Sequence, residues 1–87
     1  MNEKQYYLYI LYSKAIDKYY VGYSSDIEKR IDYHNYNHKG FTARAKDWQL
    51  VYSEIFDDRA SAMKREKEIK AWKSRKRIVE LVNKKDD

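Results

Sequence analysis

The chain has 87 residues, enough for a single domain of at most two layers, because a chain this short buries only about 60 to 65% of its unfolded surface. With 43% hydrophobic and 38% charged residues it is too apolar for a disordered tail and too charged for a membrane protein, and without cysteine it has neither disulfide staples nor thiolate metal sites. The net charge of +5 favours a polyanionic partner, nucleic acid above all, without requiring one; the ten tyrosines suit either a half-exposed core or a surface that meets a polar polymer.

Tyr6-Tyr7-Leu8-Tyr9-Ile10-Leu11-Tyr12 is aromatic and β-branched, without cap or breaker, and predicts a strand whose two faces are both covered. The polar stretch Ser13 to Lys18 separates it from a second run, Tyr19 to Tyr23, so the two form a hairpin. A four-residue loop, Ser13 to Ile16, sets Tyr9 opposite Tyr20 and Gly22 opposite Tyr7, with both phenols on one face. Ser24-Ser25-Asp26 offers N-caps for a helix from Ile27 to Tyr36, on which Ile27, Arg30, Ile31 and His34 share one stripe.

Asn37 to Asp47 has no apolar periodicity and reads as a basic loop carrying Lys39, Arg44 and Lys46. Trp48 to Phe56 is a third strand, which completes a three-stranded sheet with a crossover. Asp57 or Asp58 caps a helix from Arg59 to Lys73 with an apolar side of Ala62, Met63, Ile69 and Trp72. Glu66 falls inside that arc, a local inconsistency of the kind found at functional sites, although Arg65 falls there too. Ser74 caps a last helix, Arg75 to Asn83, which packs Ile78, Val79, Leu81 and Val82 inward. No run approaches the length of a membrane span, and Met1 to Gln5 lacks the features of a secretory signal, so the cytoplasm is the expected location.

The residues that could carry chemistry are two tyrosines on neighbouring strands, Arg30 and His34 one turn apart, and Glu66. Phosphodiester cleavage needs an activated nucleophile, charge stabilisation in the transition state and help for the leaving oxygen. A tyrosine, an arginine whose fork matches two phosphate oxygens, and a metal held by one carboxylate can divide those tasks. Each residue alone has a plainer use: the tyrosines as sheet packing, Arg30 as an ion-pair partner of Asp26, His34 as a packed histidine, Glu66 as a partner of Arg59, Arg65 or Lys70. His38 has no evident partner.

Taken together these positions resemble the GIY-YIG nuclease superfamily, in its small UPF0213-type bacterial branch. Tyr7-Leu8-Tyr9 holds the Gly-Ile-Tyr place and Tyr20-Val21-Gly22 the Tyr-Ile-Gly place. Arg30 and His34 follow at the family's spacing, Lys39-Gly40-Phe41-Thr42-Ala43-Arg44 resembles the small branch's loop, and Ala62 to Lys70 resembles its glutamate helix. The likeness covers about residues 6–82 of a single domain spanning 1–87.

The resemblance implies an α/β fold, a three-stranded antiparallel sheet flanked by three helices in the order β-β-α-β-α-α. It also implies an endonuclease that cleaves DNA, structured or damaged forms included, with one Mg2+ or Mn2+ ion. In that scheme Tyr9 or Tyr20 activates water, Arg30 stabilises the transition state, His34 orients or shuttles a proton and Glu66 holds the metal. Gly22, Lys39, Thr42 and Arg44 contact substrate. DNA is favoured over RNA, with a protein partner as one source of specificity. The contrasting expectations are a binding module that keeps the basic face without chemistry, and a scaffold docking a protein through Trp72 and the last helix.

Overall fold

The computed structural model describes residues 4–36 and 39–84. Its elements are strands β1 (Tyr6–Ser13) and β2 (Lys18–Ser24), helix α1 (Ile27–Tyr36), a 3-10 turn (Phe41–Arg44), strand β3 (Gln49–Phe56), and helices α2 (Arg59–Ala71) and α3 (Arg75–Asn83). The sheet is antiparallel in the order β2-β1-β3. This is the α/β architecture expected, with α1 and α3 on their expected bounds and the ends of the other elements either as expected or displaced by one or two residues. His38 lies outside the described residues.

Because β1 is central, it is covered on both faces, and Leu8, Tyr9, Ile10 and Leu11 are each no more than 1% exposed. Leu8 and Ile10 point to the side of α2 and α3, where they pack with Val21, Ile69 and the half-buried Ile78, Leu81 and Val82. Tyr9 and Leu11 point the other way, onto Trp48, Ala45 and the apolar stripe of α1, Ile27 and Ile31. Each fully buried aliphatic side chain of this kind contributes on the order of 1.5 to 3 kcal/mol, so a thin core suffices only because β1 is used twice.

The hairpin register differs from the expected one by two residues. Tyr9 lies opposite Gly22, Leu11 opposite Tyr20, and Tyr7 opposite Ser24. The loop is residues 14–17, because Ser13 stays in the strand, opposite Lys18, while its hydroxyl donates to Asp47 at 2.5 Å. Asp47 also accepts from the Ala15 backbone N–H at 2.9 Å, and Asp17 closes the turn at a φ of 55°. The residue that fixes the hairpin is thus remote in sequence. An even shift keeps every side chain on its face, so Tyr9 and Tyr20 still look the same way.

Both later helices begin as the caps require. Asp58 accepts from the Ser61 N–H at 2.7 Å and Ser74 from the Arg77 N–H at 3.2 Å. Trp72, just past α2, is half-buried, lies 4.3 Å beneath the Arg77 guanidinium and packs on the core.

Candidate active site

The expected site residues come from four elements, and the free edge of β2 brings them together. A cleft of about 470 Å³ is lined by Tyr9 of β1, Tyr20 and Gly22 of β2, Arg30 of α1 and Glu66 of α2. Tyr20 and Gly22 belong to the α1 side of the sheet, whereas Tyr23, also in the lining, belongs to the α2 side. A cleft that wraps over a strand edge lets helices on opposite faces reach one space.

Gly22 is required by its neighbour. A Cβ placed there would lie 2.6 Å from the Tyr9 hydroxyl and 2.7 Å from its ring carbon, so the absent side chain is what allows the Tyr9 ring to lie across β2. Tyr9 and Tyr20 have ring centroids 6.4 Å apart, and Tyr20 lies 4.6 Å from the His34 ring.

His34 does not open onto the cleft; it stands behind Tyr9, 3% exposed. Its Nε2 is 2.9 Å from the Tyr9 hydroxyl and its Nδ1 is 2.9 Å from Thr42 Oγ1. Thr42 is 4% exposed and is fixed by Trp48, whose indole N–H donates to the Thr42 carbonyl at 2.9 Å. Asn35 in turn clamps Trp48, accepting from its backbone N–H at 2.8 Å and donating to its carbonyl at 3.2 Å. Thr42, expected to meet substrate, is instead bonded to His34, while Lys39 and Arg44 are exposed and do not line the cleft.

Burial, reinforced by the nearby Arg30 charge, lowers His34 to about 4, so its imidazole is neutral at physiological pH. Burial likewise pushes the Tyr9 phenol up to about 12, against the pull of Arg30. Arg30 lines the cleft, leans over the Tyr33 ring at 4.6 Å, and keeps a buried Nε with no hydrogen-bond partner among the described residues. A buried donor left unpaired costs on the order of 1 to 3 kcal/mol, so the structure holds this guanidinium at a cost that packing alone does not explain. The expected ion pair with Asp26 is not what occupies Arg30; the Asp26 carboxylate accepts from the Lys29 N–H at 3.1 Å.

Glu66 is the only carboxylate in the cleft lining among the described residues, facing the cations Lys4, Arg30 and Arg59, and it pairs with Lys70 at 3.0 Å. No cluster of three or more metal-ligating His, Asp or Glu side chains occurs among the described residues. One carboxylate among three cations does not hold a bare divalent ion. It does fit magnesium that arrives with a phosphodiester, since that ion keeps waters and takes substrate oxygens alongside one or two carboxylates.

Arg59, Lys4 and Tyr23 were not anticipated in the site. Arg59 carried a signal: it is a cation in the first turn of α2, where the helix dipole disfavours positive charge, and that turn holds no acid. Its guanidinium instead lies 6.0 Å from the Tyr23 ring, at the cleft.

The sequence model of the GIY-YIG catalytic domain matches residues 5–78. A UPF0213 protein of Staphylococcus saprophyticus is 43% identical over 76 residues, covering 85% of this chain and 90% of the relative. One from Haloquadratum walsbyi is 36% identical over 72 residues, covering 82% and 80%. The solution structure of a UPF0213 protein from Bacillus halodurans superposes with a TM-score of 0.59 at 32% identity, covering 93% of this chain and 85% of that one. No helix among the described residues is long and apolar enough to cross a membrane.

Proposed function

The chain belongs to the GIY-YIG nuclease family, in its UPF0213 branch, and from that premise we propose that it is a metal-dependent endonuclease that hydrolyses phosphodiester bonds in DNA. The observation that carries the reading is Arg30: a guanidinium with an open, buried donor in the same cleft as Tyr9, Tyr20 and Glu66. Such a group is poised for a phosphate whose negative charge grows in the transition state.

Tyr9 receives the proton of the attacking water while its own proton passes to His34 Nε2. For this relay we assign the tautomer in which Nε2 accepts from the Tyr9 hydroxyl and Nδ1–H donates to Thr42. The bound phosphate offsets the charge of Arg30, which removes one of the two causes that hold His34 down and raises its basicity as substrate enters. Tyr20 brings a second phenol to the cleft wall and Gly22 keeps that wall low. A Mg2+ or Mn2+ ion held by Glu66 would neutralise charge on the phosphate and its leaving oxygen.

The test is nicking of supercoiled plasmid with magnesium or manganese. Glu66→Ala and Arg30→Ala should both fold, bind DNA and fail to nick, while chelation silences the wild type. Cleavage that survives in both variants, with contaminating nuclease controlled, overturns the assignment. Salt-sensitive binding with no metal-dependent nicking by the wild type would identify a binding module instead.

A further inference from the structure

The edge of β2 carries a second hollow beside the cleft. A groove of about 300 Å³ is formed by Tyr19, Tyr20 and Val21 of β2, Phe41 of the 3-10 turn, Ile69 and Lys70 of α2, Lys73, and Ile78 of α3. Tyr20 lines both hollows. Lys70, in the groove, is bonded to Glu66, in the cleft, at 3.0 Å. The two are therefore successive stations along one strand edge, with Gly22 and Tyr20 separated by about 7 Å, a distance one nucleotide spans.

The groove's chemistry differs from the cleft's. Its walls are aromatic and aliphatic, and Phe41, at 40% exposed, leaves part of its ring open to a ligand. The Phe41 and Tyr20 rings are within 20° of parallel with centroids 6.4 Å apart. The polar groups of its lining are the hydroxyls of Tyr19 and Tyr20 and the cations Lys70 and Lys73, with Arg44 placed 5.4 Å from the Phe41 ring. No carboxylate lines it among the described residues. An apolar, ring-walled slot rimmed by cations and continuous with a phosphate site matches one ligand: a nucleobase attached to a phosphate backbone.

We propose that this groove takes an unpaired base next to the phosphate held at Arg30, and that the preferred substrate is accordingly a single DNA strand or a frayed end. The inference rests on the nuclease reading of the adjoining cleft. In a duplex the bases are stacked and paired inside the helix, so a base reaches the groove only by leaving the stack, at a cost of a few kcal/mol that a single strand does not meet. Phe41 is then the specificity-determining residue, acting on the choice of substrate rather than on the chemistry.

The experiment uses the wild-type full chain in chelator, so that binding is read without turnover. Fluorescence anisotropy compares a labelled single-stranded oligonucleotide with the blunt duplex of the same sequence at fixed salt. The single strand should bind roughly tenfold tighter or more, and Phe41→Ala should weaken the single strand by about 5- to 150-fold, the range for losing one base stack, while changing duplex binding little. Phe41→Trp, which keeps a ring, should retain the preference. If Phe41→Ala does not fold, Lys73→Glu on the exposed rim should lower the single-strand affinity in its place. A 2-aminopurine in the strand should be quenched on binding and recover with Phe41→Ala. Equal or tighter duplex binding, or equal losses on both substrates with Phe41→Ala, overturns the proposal. Magnesium-dependent nicking is scored separately: duplex nicking without strand preference removes the groove and leaves the nuclease, whereas strand preference without nicking of any substrate removes the nuclease.

Discussion

Tyr9 and Tyr52 are both pushed up to about 12, and both by burial first, yet they belong to opposite kinds of polar cluster. On the α2 side, the Tyr52 hydroxyl donates to Glu54 at 2.5 Å, and Arg65 clamps the same carboxylate through Nε at 2.9 Å and a terminal nitrogen at 3.0 Å. Every strong group there has its partner, and the Arg65 fork is spent on Glu54 and Glu68. On the α1 side, the chain Tyr9, His34 and Thr42 is neutral, and the guanidinium beside it keeps an open donor at a cleft. A perturbed phenol therefore does not mark a site in this protein. What separates the two clusters is an unpaired donor in a guanidinium that lines a space large enough for a ligand.

Exchanging the losses between the two arginines is the strongest way to break that contrast. Arg30→Ala should reduce nicking by about 10²- to 10³-fold, the size expected for one electrostatic stabiliser of the transition state, with little loss of stability. Arg65→Ala should do the reverse: it strands the Glu54 carboxylate and should lower stability by about 1 to 3 kcal/mol, read as the urea midpoint, while the surviving folded protein keeps its nicking rate. Activity loss in Arg65→Ala without unfolding would mean the closed cluster is part of the site.

Gly22→Ala should combine the two effects at smaller size. The added methyl meets the Tyr9 hydroxyl and ring within van der Waals contact, and Tyr9, 1% exposed, cannot swing away freely. A destabilisation of about 1 to 3 kcal/mol and a drop in nicking are expected, with the Tyr9 to His34 bond disrupted. An Ala variant as stable and active as the wild type would show that the ring does not need the bare backbone.

How much of this was readable in advance follows from the range of the forces involved. The α1 stripe of Ile27, Arg30, Ile31 and His34 was legible because helical periodicity is local, and so was the convergence of Tyr9 and Tyr20 on one face, which survives any even change of register. The register itself was not, because two four-residue loops compete and the choice falls to Asp47, which binds Ser13 from 34 positions away. Thr42 was visible only as part of a motif in a stretch without periodicity, and its bond to His34 depends on the Trp48 indole holding the turn.

Acid should also separate the two clusters. His34 is held near 4 in the folded chain against an ordinary 6.5, so the unfolded chain takes up a proton first and stability falls as pH drops through that window. A loss on the order of 2 kcal/mol is expected, allowing for solvent screening. In the other cluster Glu54 is held below the usual carboxylate range, because burial is outweighed by the hydrogen bonds from Arg65 and Tyr52, and it releases its contribution only at lower pH, as do Asp17 and Asp47 elsewhere. Thermal melts between pH 7 and pH 4 should therefore slope in the wild type and flatten in His34→Gln; an equal slope in both would place the titrating group elsewhere.

The smallest effect expected belongs to Thr42, and it tests the assigned tautomer. Thr42→Val keeps shape and removes the hydroxyl, so His34 Nδ1–H loses its acceptor in a buried position and stability should fall by about 1 kcal/mol. Thr42 touches no substrate in this reading, so the KM for DNA should hold while kcat falls roughly tenfold, as His34 spends less time with Nε2 open to the Tyr9 proton. Thr42→Ser, which restores the hydroxyl, should recover most of the rate. A rise in KM with kcat intact would instead return Thr42 to the substrate-contacting role its place in the basic loop first implied, and would leave His34 without a partner that fixes its proton.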